Sequence, residues 1–161
     1  MIIYSVGSYS YVVKGEYNGS IVAKKVFDIK SDEYKRRSKI GTINNNTNNE
    51  NKSVFMREIE IWNRIKPHPF ILQFYGAHHY GHYPFIISEY CNNGTVKSYT
   101  SKDNVTFNQK LQIMHDIATG IYHLHKNRII HGDIKSNNIL ISNDGTPKIC
   151  DFGLSVYMSD K

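Results

Sequence analysis

The sequence predicts an α+β fold, with an antiparallel sheet and one helix over residues 1–90 followed by a helix and short hairpins over 91–161. Three observations predict it. β-Branched runs flank the pair Asn18-Gly19, the signature of a tight hairpin. Apolar residues recur at helical spacing from Phe55 to Ile65 and again from Phe107 to Leu124. The other apolar runs are short and are separated by polar turns, which suits strands rather than further long helices.

Residues 11–27 are expected to form strand, turn and strand: YVVKGEY, the Asn18-Gly19 turn, then SIVAKKVF. Over 28–53 apolar side chains nearly vanish, through KSDEYKRRSK into NNNTNNENKS, so no face is left to bury and a disordered insertion is expected. Ser53 is the expected cap of a helix that presents Phe55, Ile59, Trp62 and Ile65 on one face, and Pro67 and Pro69 stop it near Lys66. FILQFYGAHH and YPFIISEY are two further strands joined by a turn at Gly81, and Asn92-Asn93-Gly94 ends the second. Thr106 with Gln109 forms a capping box for a helix whose stripe runs Phe107, Leu111, Met114, Ile117, Ile121 and Leu124 and which ends near Asn127. The runs IIHGD, NILI and PKIC follow as short strands, with Asp144-Gly145 as a hairpin signal.

Composition narrows the function classes. A formal charge of +6 raises nucleic-acid binding, but much of the excess sits in Lys30–Lys39 beside Asp32 and Glu33, as in a solvated loop, so no nucleic-acid partner is expected. His78, His79 and His82 lack the Cys/His ladder of a zinc site. No run approaches the roughly 18 apolar residues of a membrane helix. The first residues also lack an export signal, so the expectation is a cytoplasmic chain with no membrane partner. Cys91 and Cys150 are then expected as reduced thiols. The sequence carries no signal for oligomeric state.

Chemistry-bearing residues gather in the last forty positions, in His131-Gly132-Asp133-Ile134-Lys135-Ser136-Asn137-Asn138 and in Asp151-Phe152-Gly153. Polar groups on loops between short strands are where a rigid scaffold presents a site. Asp133 suits a proton acceptor, while Asn138 and Asp151 offer the hard oxygen ligands that Mg²⁺ favours. Taken one at a time, each of these pieces is equally an ordinary turn whose side chains bond nearby amides.

Taken together, the pieces resemble a eukaryotic protein kinase domain, most similar to the tyrosine-kinase-like serine/threonine group. Val22-Ala23-Lys24-Lys25 resembles the V-A-I-K strand, His131-Gly132-Asp133 through Asn138 the catalytic loop, and Asp151-Phe152-Gly153 the metal-binding triplet, in the family's order and spacing. The resemblance implies a protein-kinase-like fold, with a small lobe at 1–90, a large lobe at 91–161 and ATP between them. It implies transfer of the ATP γ-phosphoryl group to a protein hydroxyl with the help of Mg²⁺. Lys25 would hold the α- and β-phosphates and Glu58 would pair with it. Strand alternation puts Lys25 on the face of Ala23, the adenine-pocket wall, and Lys24 on the other. Asp133 would orient the substrate hydroxyl and take its proton, Lys135 would offset charge on the transferred group, and Asn138 and Asp151 would hold the metal. Gly7 and Val12 fall on the nucleotide-covering loop, and Ser88, Glu89 and Cys91 on the strand leading into the adenine-binding hinge. Trp62 is placed to stack with His131 and Phe152.

The pattern has three departures. The glycine-rich loop falls on Ser5-Val6-Gly7-Ser8-Tyr9-Ser10 and keeps one glycine position. Gly132 stands where the family carries an arginine that pairs with a phosphorylated activation segment, so that mode of control is expected to be missing. The sequence ends ten residues after Asp151, which implies an incomplete large lobe and a partly exposed 107–126 helix. Two readings follow: a serine/threonine kinase domain acting on a protein substrate, or a non-catalytic kinase-like module that binds nucleotide or a partner kinase.

Overall fold

A computed structural model of the chain describes residues 3–6, 10–30, 35, 54–80 and 82–158. The chain folds as two compact units, one made of Met1–Glu60 with Phe74–Glu89 and the other of Ile61–Gln73 with Tyr90–Lys161. The expected cap Ser53, the turn at Gly81, Gly7 and most of the 28–53 insertion lie outside the described residues.

The first unit is built on a five-stranded antiparallel sheet. Its strands are β1 (Ile3–Val6), β2 (Ser10–Tyr17), β3 (Ser20–Phe27), β4 (Phe74–His78) and β5 (Phe85–Glu89), in the spatial order β1-β2-β3-β5-β4. Asn18 and Gly19 take φ of 50° and 74°, the double positive φ that a twisted two-residue hairpin requires. That turn sets an unbroken register between β2 and β3, from Tyr17 opposite Ser20 to Ser10 opposite Phe27. Val13, Val22, Val26, Phe27 and Ile86 are buried. Helix α1 (Val54–Arg64) begins in this unit, and Phe55 meets Phe27 edge-on at 5.2 Å between ring centroids. Such a pair adds about 0.5–1.5 kcal/mol beyond the area it buries.

The second unit contains α2 (Val96–Thr100), α3 (Phe107–Lys126) and the short strands β6 (Ile129–Ile130), β7 (Ile139–Ile141), β8 (Pro147–Ile149) and β9 (Val156–Tyr157). β6 pairs with β9 and β7 with β8, both antiparallel. Helix α2 has no counterpart in the sequence reading, because none of its residues is buried and no periodic stripe marks it. It is set locally by Thr95, whose hydroxyl accepts a bond from the Ser98 amide.

One expectation needs correction. The strand expected from Phe70 starts at Phe74; the preceding residues bond to β8 instead, through Ile149 N–H to the Phe70 carbonyl and Leu72 N–H to the Ile149 carbonyl, both at 2.9 Å. In α3 the capping box forms as expected, with Gln109 N–H donating to Thr106 Oγ1 at 3.3 Å and Thr106 N–H donating to Gln109 Oε1 at 2.8 Å. The face it buries carries Ile113, Gly120 and Leu124, and Phe107, Leu111 and Met114 of the expected stripe are exposed, in line with the partly exposed helix expected. The helix has two apolar stripes, and the sequence reading followed the outer one over its first two turns.

Candidate active site

The expected residues fall into two groups, one in each unit. In the first, β3 alternation turns Lys24 and Lys25 to opposite faces of the sheet. Lys25 Nζ donates to Glu58 Oε1 at 2.8 Å and to Oε2 at 3.0 Å. Lys24 Nζ instead lies 3.7 Å from the centroid of the Phe85 ring. Glu58 is fully buried, a cost that a carboxylate bears only when it is paired and hydrogen-bonded. The ammonium is therefore held at one point on the sheet, directed by a carboxylate that has no access to water.

The same sheet orders the other residues of this group. Val12 lies opposite Lys25 in the β2–β3 ladder, and Ala23 opposite Ser88 in the β3–β5 ladder. Ser88 is buried and its hydroxyl donates to the Glu89 carbonyl at 3.4 Å, while Glu89 ends β5 half-buried. Cys91 is half-buried and belongs to the second unit.

In the second unit, a loop after β6 and the one-turn 3₁₀ helix Ser136–Asn138 bring two side chains onto one carboxylate oxygen of a third. Asp133 Oδ2 accepts from Lys135 Nζ at 2.6 Å and from Asn138 Nδ2 at 2.9 Å. Asn138 Nδ2 also donates to the Asp133 carbonyl at 2.9 Å. Among the described residues nothing donates to Asp133 Oδ1 or to Asn138 Oδ1. Two oxygens are thus kept available by the way their partner atoms are used.

Asp151 follows β8 with φ of 67°, a left-handed conformation uncommon outside glycine. The Cys150 amide before it donates to the Asn138 carbonyl at 3.0 Å, which ties the two oxygen donors to one piece of backbone. Asp151 supplies a carboxylate and Asn138 an amide oxygen whose amide nitrogen is already spent on Asp133. These hard oxygen donors fit Mg²⁺.

His131 is buried and uses both ring nitrogens. Nδ1 accepts from the Asp133 amide at 3.2 Å, so Nε2 carries the proton and donates to the Cys150 carbonyl at 2.9 Å. Burial, the largest influence, holds its pKa below the ordinary 6.5, against the opposing pull of the Cys150 carbonyl and the Asp151 and Asp133 carboxylates. The ring stays neutral and keeps this tautomer. Phe152 stands between His131 and Trp62, with centroid distances of 5.1 and 5.4 Å, and Trp62 Nε1 donates to the Leu72 carbonyl at 3.0 Å. The sequence reading missed Ser155, whose hydroxyl donates to the His131 carbonyl at 2.8 Å; a serine two places after Phe152-Gly153 carries no signal of that bond.

Comparison with known proteins places the chain in a family. The family model described as the protein kinase domain matches residues 6–161. The chain is 31% identical over 159 residues, 96% of its length, to serine/threonine-protein kinase 4 homolog B of Dictyostelium discoideum. It is 30% identical over 152 residues, 92% of its length, to serine/threonine/tyrosine-protein kinase HT1 of Arabidopsis thaliana. Over 103 residues, 63% of its length, it is 37% identical to serine/threonine-protein kinase PLK4 of Xenopus laevis. The chain spans 13%, 36% and 11% of the lengths of these three relatives.

Proposed function

This chain belongs to the protein kinase domain family, and from that premise we propose that it transfers the γ-phosphoryl group of ATP to a serine or threonine hydroxyl of a protein substrate. The observation that carries the reading is the sharing of Asp133 Oδ2 by Lys135 and Asn138, which leaves Oδ1 to accept the substrate hydroxyl. In this reading the proton of that hydroxyl passes to Asp133 as the oxygen attacks, while the Lys135 ammonium lowers the charge on the group in transfer. Lys25, directed by Glu58, grips the α- and β-phosphates. Asn138 and Asp151 hold Mg²⁺, which when bound neutralises charge on the phosphate oxygens. Val12, Ala23, Ser88 and the backbone at Glu89 and Cys91 receive the adenine end, with Gly7 over the phosphates. Lys135 and the names of two of these relatives, which print serine/threonine alone, support hydroxyl acceptors of that class over tyrosine. A cytoplasmic location accords with Cys91 and Cys150 being thiols rather than a disulfide.

The test is transfer of labelled phosphate from ATP to a generic protein substrate, with Asp133→Asn beside the unaltered chain. Loss of the base should reduce transfer by about 10²–10⁴-fold. Equal transfer by the two proteins would remove Asp133 from the reaction. A second reading, a non-catalytic module, is favoured by the single glycine of the 5–10 loop; it gains if MgATP raises the unfolding temperature and no transfer occurs.

A further inference from the structure

Helix α3 carries two apolar faces, and the fold uses one of them. Ile113, Gly120 and Leu124 are buried, and the helix packs on β6 and β8. Turned away from that face run Phe107, Leu111, Met114, Ala118 and Tyr122, all exposed, with Phe107 at 72%, Met114 at 65% and Tyr122 at 66%. On an ideal helix these five positions share about 80° of arc, and no Lys, Arg, Asp or Glu falls inside it. The alternating steps of four and three residues from Phe107 to Ala118 are those of a seam between paired helices. A contiguous apolar row of this kind marks a surface of association.

Size and charge select what covers the row. When two α3 helices lie antiparallel about a two-fold axis, one register sets Phe107 against Tyr122 of the second copy, aromatic on aromatic, and Leu111 against Ala118, large against small. Met114 then lies at the axis beside Met114 of the second copy, and its unbranched side chain adapts to that close approach. The same register brings Asp103, just ahead of the helix, toward Lys126 at its far end, and both are exposed. A parallel pair would instead set Asp103 beside Asp103, Lys126 beside Lys126, and Ala118 opposite Ala118, with two like-charge contacts and a gap. The face is therefore complementary to itself in one orientation.

We propose that the chain forms a closed two-fold dimer through the outer face of α3, antiparallel, with Met114 at its centre and Asp103 and Lys126 paired at both ends. The assembly does not depend on the kinase reading. One helix face covers less than the roughly 800 Å² per partner of a standard interface, so the dimer is reversible, with micromolar or weaker affinity.

The experiment is sedimentation velocity on the full 161-residue chain from about 5 to 200 µM, a range that brackets an interface of this class. The unaltered chain should pass from monomer to dimer with rising concentration and stop at two. Met114→Glu, which places like charges at the axis, should stay monomeric throughout. Asp103→Lys should weaken the dimer about tenfold, because symmetry turns two surface attractions into two repulsions. Lys126→Asp should act alike, and Asp103→Lys combined with Lys126→Asp should recover most of the loss. Circular dichroism checks that each variant is folded; where Met114→Glu is not, the charge swap decides alone. A monomer at every concentration overturns the proposal, whether the row stays open to solvent or takes a different occupant. Growth beyond two copies overturns the closed pair. A dimer that a folded Met114→Glu leaves intact places the contact elsewhere on the molecule, and a swapped variant as weak as either single one overturns the antiparallel register.

Discussion

Glu58 is the residue whose neighbour matters most to stability. It sits fully buried with its carboxylate paired to Lys25 at 2.8 and 3.0 Å. Removing one partner of a buried pair leaves an uncompensated charge, a loss of about 3–5 kcal/mol, whereas replacing both by apolar groups is often close to neutral. The Lys25 side chain keeps 20% of its exposure, so the lower end of that range applies. Lys25→Met should thus lower the free energy of unfolding by about 3 kcal/mol. Lys25→Met combined with Glu58→Met should recover most of it. Urea denaturation of the three proteins checks this, and a single variant no less stable than the double would mean that Glu58 is not held by Lys25. At this scale the sequence was informative: alternation along β3 separated Lys25 from Lys24 before any coordinates, because strand geometry leaves no other arrangement. Ser155 was beyond reach, since its bond depends on a carbonyl 24 positions away.

Elements show a different limit, well illustrated by α3. Glycine in a helix interior ordinarily costs about 1 kcal/mol relative to alanine, so Gly120→Ala would be expected to stabilise. Here an added Cβ would meet Ile149 Cδ1 at 2.9 Å, Phe70 Cβ at 3.1 Å and the Phe70 carbonyl at 3.2 Å, and Ile149 is itself wholly buried. Overpacking of this kind costs about 1–3 kcal/mol, so it outweighs the propensity gain. Gly120→Ala should destabilise by about 1 kcal/mol in chemical denaturation, and a more stable variant would show that Phe70 and β8 yield easily. The capping box at Thr106 and the Asn18-Gly19 hairpin were legible because their causes are local. Which stripe of α3 faces inward was not, because Phe107, Leu111 and Met114 are as apolar as Ile113 and the choice is made by β8. The same holds for Phe70 to Leu72, an apolar run whose partner is a strand almost eighty residues on. Periodicity names a face or a strand but not what covers it.

For the molecule as a whole, the titrating groups give the dependence of stability on pH. His68 and His131 both have pKa values below the ordinary 6.5, each chiefly through burial, with His123 and Lys148 adding to the effect at His68. The surroundings of His68 explain this: its ring stacks on that of His123 at 4.3 Å, and its Nδ1 accepts the Phe70 amide at 3.3 Å. A histidine whose folded pKa is depressed binds fewer protons folded than unfolded below pH 6.5, so stability rises with pH there. The contribution of the two histidines is fully present above the unfolded value and is lost as pH falls from about 6.5 toward the folded values. Asp144 acts at lower pH. Its Oδ1 accepts from the Ser142 hydroxyl at 2.5 Å and the Thr146 amide at 3.1 Å, and these bonds hold its pKa below 3.8. Its stabilisation is present above the unfolded value and is lost as pH falls through the folded one. The urea midpoint should therefore decline in two stages, a first between pH 7 and 5 and a second below pH 4. His68→Gln should shrink the first stage and leave the second. Asp144→Asn should lower the midpoint at neutral pH and flatten the second. A midpoint that holds level from pH 7 to 5 would mean that neither ring is kept neutral by the packing around it, and with that the bond from the Asp133 amide to His131 Nδ1 would no longer hold over that range.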